Sequence, residues 1–248
     1  MISSKEIALT ASFAALYVII SFLPGIPVIG LPTLSIQLEA SIASVFGIVL
    51  GPYLGALAAF LGTVIAWLLP PGSGSPFGLP FLLNPAINAF VVGLVYTGKW
   101  KRGFIVFAAI ITAFIFLPPS QPLTKYYYVA VLANWDKAIA LLMIFPVVYL
   151  MKRDNLSPTL TFVLYFLLGF IGNQADGALG NAIFATPIVY NGIWQLTTDT
   201  VRYLFIVSPF YYPIARLIAA IIVAIIAMPL VEALKNIGWH FPKNTSKI

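Results

Sequence analysis

The chain has 248 residues, of which 61% are hydrophobic and only 8% are charged. Soluble domains carry charge on roughly 25% of their residues, so this composition excludes a soluble fold. The mean hydropathy of +1.01 agrees, and we predict an all-α integral membrane protein with a single transmembrane domain over residues 1–248. The sequence has no cysteine and one histidine, His240, so disulfides are excluded and neither a cofactor nor a metal is expected.

A membrane-spanning helix needs about 20 mostly apolar residues. Both termini share one side of the membrane if eight segments span it, and no cleavable signal sequence is expected before the first. The segments 37–50 and 103–117 are short, so a bundle of six spans, with these two as partial or re-entrant helices, is the alternative. The eight candidate spans are 5–23, 37–50, 52–69, 82–97, 103–117, 128–151, 157–175 and 210–235.

The clearest packing signal lies between the second and third candidate spans. Gly47, Gly51 and Gly55 recur at four-residue spacing, and Pro52 follows directly after Gly51. Glycines at this spacing leave one helix face without side chains, so a neighbouring helix can approach closely in lipid. Because proline suits the first turn of a helix, Gly51-Pro52 is predicted to end one span and begin the next, as a tight hairpin.

If eight spans alternate in direction, their connections fall into two sets, one on each side of the membrane, and basic residues divide unevenly between these sets. One set holds nine Lys and Arg residues against Glu6, Asp154 and Glu232, whereas the other set balances four basic residues against four acidic ones. The positive-inside rule assigns the basic side to the cytoplasm, so both termini are predicted to be cytoplasmic. Short basic clusters at span ends also explain the pI near 9.5, and no nucleic-acid partner is expected.

Polar side chains concentrate at the predicted outer ends of the spans, beside long connections rich in proline, glycine and aromatic residues. Polar groups at membrane depth are costly unless they are paired or hydrated, so they are default site candidates. In the alternative interpretation these amides only join helices, and an interfacial belt explains the aromatic residues. The candidate substrate-binding residues are Glu39, Trp67, Asn84, Asn88, Asn173, Gln174, Asp176, Asn181, Trp194 and Arg216.

Several kinds of chemistry have no sequence signature here. The chain has no P-loop, no dinucleotide-binding fingerprint, no nucleophile elbow and no histidine-based metal motif, so no catalytic residue is assigned. An enzyme or an ion-driven carrier is therefore disfavoured. Two structural ion pairs are expected in the outer polar region, Asp136 with Lys137, and Arg216 with either Asp176 or Asp199.

The order of motifs in the first third of the chain resembles a known family. These motifs are KEIALTASFAAL at 5–16, a loop with Pro24, Pro27 and Pro32, then Ile36-Gln37-Leu38 and Gly51-Pro52-x-x-Gly55. This order is similar to that of the substrate-binding S components of energy-coupling factor (ECF) transporters. The resemblance is clear over residues 5–70 and looser over 157–235.

The resemblance implies a plasma-membrane protein that captures a vitamin-like micronutrient from the outer side without catalysing a reaction. It also implies an integral scaffold subunit and ATPase subunits as partners, and it assigns Ala11 and Ala15 to the scaffold contact. Small side chains permit such a close helix contact. S components usually have fewer spans than the eight counted here, and the surplus falls near 100–150.

Two other functions are compatible with the sequence. The chain could be an accessory or structural subunit of a larger membrane complex, or an autonomous channel or carrier with a neutral pore. The substrate is not identified by the sequence. Balanced outer charges with amides and aromatic rings suit a neutral or zwitterionic planar compound better than a polyanion.

Overall fold

The computed structural model describes residues 3–23, 25–28, 31–36, 38–70, 72–153, 155–239 and 241. Pro24, Gln37, Asp154 and His240 lie outside the described residues, as do Lys243 and Lys247, two of the nine basic residues on the predicted cytoplasmic side.

Helices make up most of the described chain. A hairpin of two antiparallel strands, β1 (Ile26–Val28) and β2 (Leu31–Ile36), lies in the first outer connection. The helices are α1 (Ser4–Ile20), α2 (Leu38–Leu68), α3 (Asn84–Tyr96), α4 (Trp100–Ile115), α5 (Leu123–Leu142), α6 (Ile144–Met151), α7 (Pro158–Phe184), α8 (Pro187–Tyr190), α9 (Thr198–Val207) and α10 (Tyr212–Asn236).

The predicted spans coincide largely with helices. Helices α1 and α4, with 17 and 16 residues, are at or below the short limit for crossing a bilayer. The helical bundle is confirmed. The count of eight spans and the side of the membrane on which the termini lie stay predictions. Within the described residues, five helical segments are long and apolar enough to cross a membrane: Glu39–Leu68, Leu79–Tyr96, Leu123–Met151, Pro158–Phe184 and Tyr212–Asn236.

The predicted break at Gly51-Pro52 is confirmed. Gly51 has φ 77° and ψ −176°, a conformation outside the helical region that favours glycine, and it divides α2 into two halves. The two halves fold back on each other and pack closely. A Cβ added to Gly55 would lie only 2.7 Å from the carbonyl oxygen of Phe46. Glycine is needed at both positions, for the turn and for the close approach.

Helix α3 docks against the same turn with equally little space. A Cβ added to Gly93 would lie 2.5 Å from the Cα of Pro52, and one added to Gly47 would lie 2.9 Å from the backbone nitrogen of Gly93. The four-residue glycine spacing therefore serves two interfaces, one within α2 and one with α3.

Contacts identify the two ends of the bundle. The Lys99 Nζ lies 5.8 Å from the ring centroid of Tyr53, and the indole nitrogen of Trp239 donates to the carbonyl of Val49 at 3.3 Å. The end of α3, the start of α4 and the end of α10 thus meet the Gly51 turn. We call this the inner end and the opposite end, where α3 begins and α7 ends, the outer end.

Arg202 in α9 holds the outer connections together. Its guanidinium pairs with Asp199 at 2.7 Å and donates to the carbonyls of Pro119 at 3.1 Å and Gln121 at 2.8 Å. It also lies 3.5 Å from the ring centroid of Tyr126, a cation–π distance. Helix α9 is thereby fixed to the connection between α4 and α5.

Candidate functional site

A layer of buried polar side chains crosses the outer half of the bundle. Polar groups taken out of water at this depth are costly unless they find hydrogen-bond partners. Side chains from α2, α3, α5, α7 and α10 form this buried polar layer: Glu39, Ser41, Ser44, Asn84, Asn88, Asn134, Asp136, Lys137, Asn173, Gln174, Asp176 and Arg216.

Asn88 is the hydrogen-bonded centre of the layer. Its Oδ1 accepts from the hydroxyl of Ser44 at 2.6 Å, and its Nδ2 donates to the carbonyl of Ala40 at 3.0 Å. The same Nδ2 lies 3.5 Å from Oδ1 of Asn173. The amide of Asn88 therefore joins α2, α3 and α7, which is a structural task.

Glycines on α7 make room for the layer. A Cβ added to Gly172 would collide with the Asn88 amide oxygen, and one added to Gly180 would lie 2.8 Å from Nδ2 of Asn84. Both asparagines of α3 thus pack against bare backbone on α7. Their four-residue spacing, which puts them on one helix face, explains why both reach the same neighbour.

Two ion pairs lie in the layer. Asp136 pairs with Lys137 at 2.9 Å, and Asp176 pairs with Arg216 at 3.3 Å. The expected first pair is confirmed, and Arg216 takes Asp176 rather than Asp199. Since Glu39 adds a third carboxylate, the charged groups of the layer nearly balance.

Many atoms of the layer make no hydrogen bond within the described residues, and we call them open polar atoms. Each buried polar group left without a partner costs about 1–3 kcal/mol, so a bound ligand or bound water that paired with this cluster would be stabilised. Donors and acceptors both occur: Glu39 Oε2, Ser41 Oγ, Asn84 Oδ1, Asn134 Oδ1, Asn173 Nδ2, Gln174 Nε2 and Oε1, Asp176 Oδ2 and Arg216 Nη1.

An aromatic cluster adjoins the layer at the outer end. The ring centroid of Trp194 lies 5.3 Å from Phe77, 5.8 Å from Phe81 and 5.4 Å from Phe184. The Nε1 of Trp194 is buried and is a further open polar atom. Phe81 stands just before α3, whose first residue is Asn84. The buried polar layer and the aromatic cluster therefore lie next to each other at the start of α3.

Two of the predicted site residues, Trp67 and Asn181, lie outside the buried polar layer and make hydrogen bonds of their own. The indole nitrogen of Trp67 donates to the carbonyl of Ser75 at 2.7 Å, which shapes the loop that carries Phe77. Asn181 donates through Nδ2 to the carbonyl of Ala133 at 2.9 Å and joins α7 to α5. The remaining predicted residues lie in the buried polar layer or, for Trp194, in the aromatic cluster.

Some members of the site were not selected from the sequence. Ser41 and Ser44 are small polar residues within an apolar run, a pattern that marks no face. Phe77, Phe81 and Phe184 are common residues in this chain, and only their position beside long outer connections offered a signal. Their convergence on Trp194 depends on tertiary packing.

The exposed face of α1 carries the two alanines assigned to a partner contact. Ala11 and Ala15 are exposed, whereas Ala14 and Tyr17 are buried against the second half of α2. A Cβ added to Gly62 there would lie 2.7 Å from Cβ of Tyr17. Ala11 and Ala15 are thus free of the internal packing that occupies the opposite face.

A separate, wide-open cavity of about 650 Å³ lies near α9. The Arg202 donors at its edge are already bonded to Asp199 and to backbone carbonyls. The buried polar layer is therefore the stronger candidate. The cavity is lined by Phe116, Pro118, Gln121, Pro122, Thr197, Thr198, Asp199 and Arg202.

A comparison with protein families adds an independent finding. The family described as "ECF-type riboflavin transporter, S component" matches residues 1–150, more than half of the chain. The chain belongs to this family. No curated protein and no solved structure matches it. The match covers the resemblance over 5–70 and ends before the looser one over 157–235.

Membership settles the broad role. An ECF S component is a multi-pass protein of the plasma membrane that binds a small vitamin substrate and works with scaffold and ATPase modules. It is a transport subunit and not an enzyme. The predicted localisation and vitamin uptake are thus confirmed, and so is the ECF family itself.

Proposed function

We propose that the chain captures riboflavin, or a closely related flavin, at the buried polar layer. The family description names a riboflavin transporter. The set of open polar atoms carries the proposal, because it pairs donors such as Asn173 Nδ2 with acceptors such as Asn84 Oδ1 in a nearly charge-balanced layer. Riboflavin is neutral and offers both donors and acceptors, so it can satisfy both kinds of atom.

The placement of polar and aromatic side chains supports a planar, amphiphilic substrate. A flavin ring has a polar pyrimidine edge and an apolar dimethylbenzene edge. Under this proposal the polar edge meets the amides of Asn84, Asn173 and Gln174, and the apolar edge packs against Trp194. Aromatic packing and hydrogen bonding then act on opposite ends of one ring system.

The site draws on both the matched and the unmatched parts of the chain. Glu39, Asn84 and Asn88 fall inside residues 1–150, whereas Asn173, Gln174, Asp176, Trp194 and Arg216 come after them. Five of these eight residues therefore lie beyond the family match, so a direct measurement of flavin binding tests the proposal.

Binding of flavin by the purified full-length protein tests the proposal. We expect saturable quenching of riboflavin fluorescence, and Trp194→Ala should weaken binding roughly tenfold through lost aromatic contact. Trp100→Ala is the matched control, since Trp100 packs on Phe145 at the inner end. If the protein binds neither riboflavin nor its ring analogues, and instead co-purifies with stable membrane partners other than ATPases, an accessory role is favoured.

We also propose that the chain crosses the membrane eight times with cytoplasmic termini, and that the exposed face of α1 contacts the scaffold subunit. Small side chains at Ala11 and Ala15 would allow close approach. Cysteines placed at these positions should cross-link to the scaffold in the assembled transporter. A cysteine replacing buried Ala14 should not, and cross-linking from Ala14 alone would contradict this assignment.

A further inference from the structure

Asp176 and Arg216 form a buried ion pair that is only half satisfied. Arg216 Nη2 lies 3.3 Å from Asp176 Oδ1, and the two side chains are 12% and 6% exposed. Within the described residues, Arg216 Nη1 and Asp176 Oδ2 remain open polar atoms. Buried ion pairs are stable only when further hydrogen bonds satisfy their remaining atoms. This pair therefore has one strong donor and one strong acceptor that a bound ligand would satisfy.

A hydroxyl group matches this arrangement better than a phosphate. A hydroxyl can donate to Asp176 Oδ2 and accept from Arg216 Nη1 at the same time. A phosphate ester at neutral pH has acceptor oxygens and a negative charge, so it would leave Asp176 Oδ2 without a donor and add repulsion.

The nearby lysine does not reverse this preference. A Cβ on Gly177 would lie 3.6 Å from Arg216 Nη2 and 3.7 Å from Lys137 Cε, so the two cations converge on one point of α7. The Lys137 Nζ, however, is 2.9 Å from Asp136 Oδ1 and 3.1 Å from its Oδ2. Its charge is already compensated, and an incoming phosphate would have to compete with Asp136.

Resting on the proposed function, we propose that Asp176 and Arg216 bind the terminal 5′-hydroxyl of the substrate's polyol chain and thereby select the unphosphorylated flavin against its phosphate ester. The pair acts as a specificity determinant at the side of the layer formed by α7 and α10. The amides and the aromatic cluster are left to hold the ring.

Three ligands test separately how the protein recognises the flavin ring, the polyol chain and the phosphate. Riboflavin, its 5′-phosphate FMN and lumichrome, a ring without the chain, are titrated against the full-length protein and its variants. The unmodified protein should prefer riboflavin to FMN by about tenfold or more, because the esterified 5′-oxygen of FMN has no proton to donate to Asp176 Oδ2. Asp199→Asn is the control, since it removes an exposed carboxylate that pairs with Arg202.

The two site variants have opposite expected signs. Asp176→Asn removes the repelling charge and leaves Arg216 uncompensated, so the preference for riboflavin over FMN should narrow by about tenfold. Arg216→Gln leaves the Asp176 charge uncompensated, so the preference for riboflavin over FMN should increase. A purely structural role would weaken both ligands alike. Lumichrome should bind each variant as it binds the unmodified protein, within about twofold.

Each outcome bears on one proposal. An unmodified protein that binds riboflavin and FMN equally well overturns the selectivity, even if neither variant folds. A preference that does not change in folded variants, or a loss of lumichrome binding equal to that of riboflavin, overturns the assignment of the pair to the chain. Failure of the unmodified protein to bind any of the three ligands rejects the flavin function itself, and this inference with it.

Discussion

Gln174→Met should make the ligand-free protein more stable while it weakens substrate binding by at least tenfold. The Gln174 side chain is 0% exposed, and both of its polar atoms are open polar atoms within the described residues. Methionine has a similar length and no polar group to satisfy. Removing two unpaired atoms should therefore raise the free energy of unfolding by about 1–3 kcal/mol, while the ligand loses two partners.

Asn88→Leu is the contrasting variant for this experiment. The Asn88 amide already bonds to Ser44 and to the carbonyl of Ala40, so its loss should lower stability and leave Ser44 without its acceptor. Thermal unfolding of the ligand-free proteins and equilibrium dialysis with riboflavin measure the two effects separately. A Gln174→Met protein that is less stable, or that keeps full affinity, would show that Gln174 is a structural residue.

Gly93→Ala should remove at least about 2 kcal/mol of stability, although it adds only one methyl group. The new Cβ would lie 2.5 Å from backbone atoms of Pro52, and backbone at a helix turn cannot move aside as a flexible side chain can. Such overpacking commonly costs about 1–3 kcal/mol and sometimes more. The turn at Gly51 and the docking of α3 would both be disturbed.

Gly177→Ala provides the matched control for Gly93→Ala. The nearest atoms to a Cβ there are 3.6 Å away, an ordinary contact distance. Alanine is also favoured over glycine in a helix by about 1 kcal/mol, so this variant should be neutral or slightly stabilising. The thermal midpoints of the two variants in the same detergent decide the matter. Equal midpoints would mean that the interface between α2 and α3 can relax to accept a methyl group.

The sequence predicted the hairpin at Gly51-Pro52 because its signals are local. A glycine with positive φ followed by proline ends one helix and starts another regardless of what surrounds them. The same holds for the apolar segments, since a bilayer dictates their length and composition. Helices α1 and α4 show the limit of this argument, because length alone does not decide whether a short helix crosses the membrane.

The site was only partly accessible from the sequence. Asn84, Asn88, Asn173 and Gln174 could be selected because amides are rare in apolar spans and their depth could be counted. The sequence does not show whether an amide is hydrogen-bonded to another helix or is left without a partner. Asn88 and Gln174 have similar chemistry and are equally buried, yet one is bonded on both sides and the other on neither.

Trp67 and Trp194 make the same point for the aromatic residues. Both adjoin long outer connections, and the sequence treated them alike. Trp67 donates to Ser75 in its own loop, whereas Trp194 contacts Phe77 and Phe81 from the connection before α3 and Phe184 from the end of α7. A tryptophan's ring contacts depend on tertiary packing, so only the folded chain distinguishes a tryptophan that supports its own loop from one in an aromatic cluster.

By itself the sequence determined a helical membrane protein, the turn at Gly51, the polar outer ends and the resemblance to ECF S components. These follow from composition, local backbone preference and charge placement, which act over a few residues. The tertiary structure alone decided that Arg216 pairs with Asp176, that α7 presents glycines to the polar side chains, and which polar atoms stay open. Those outcomes depend on how α3, α5, α7 and α10 pack together, and interhelical distances of a few ångströms are not encoded in any short stretch of the chain.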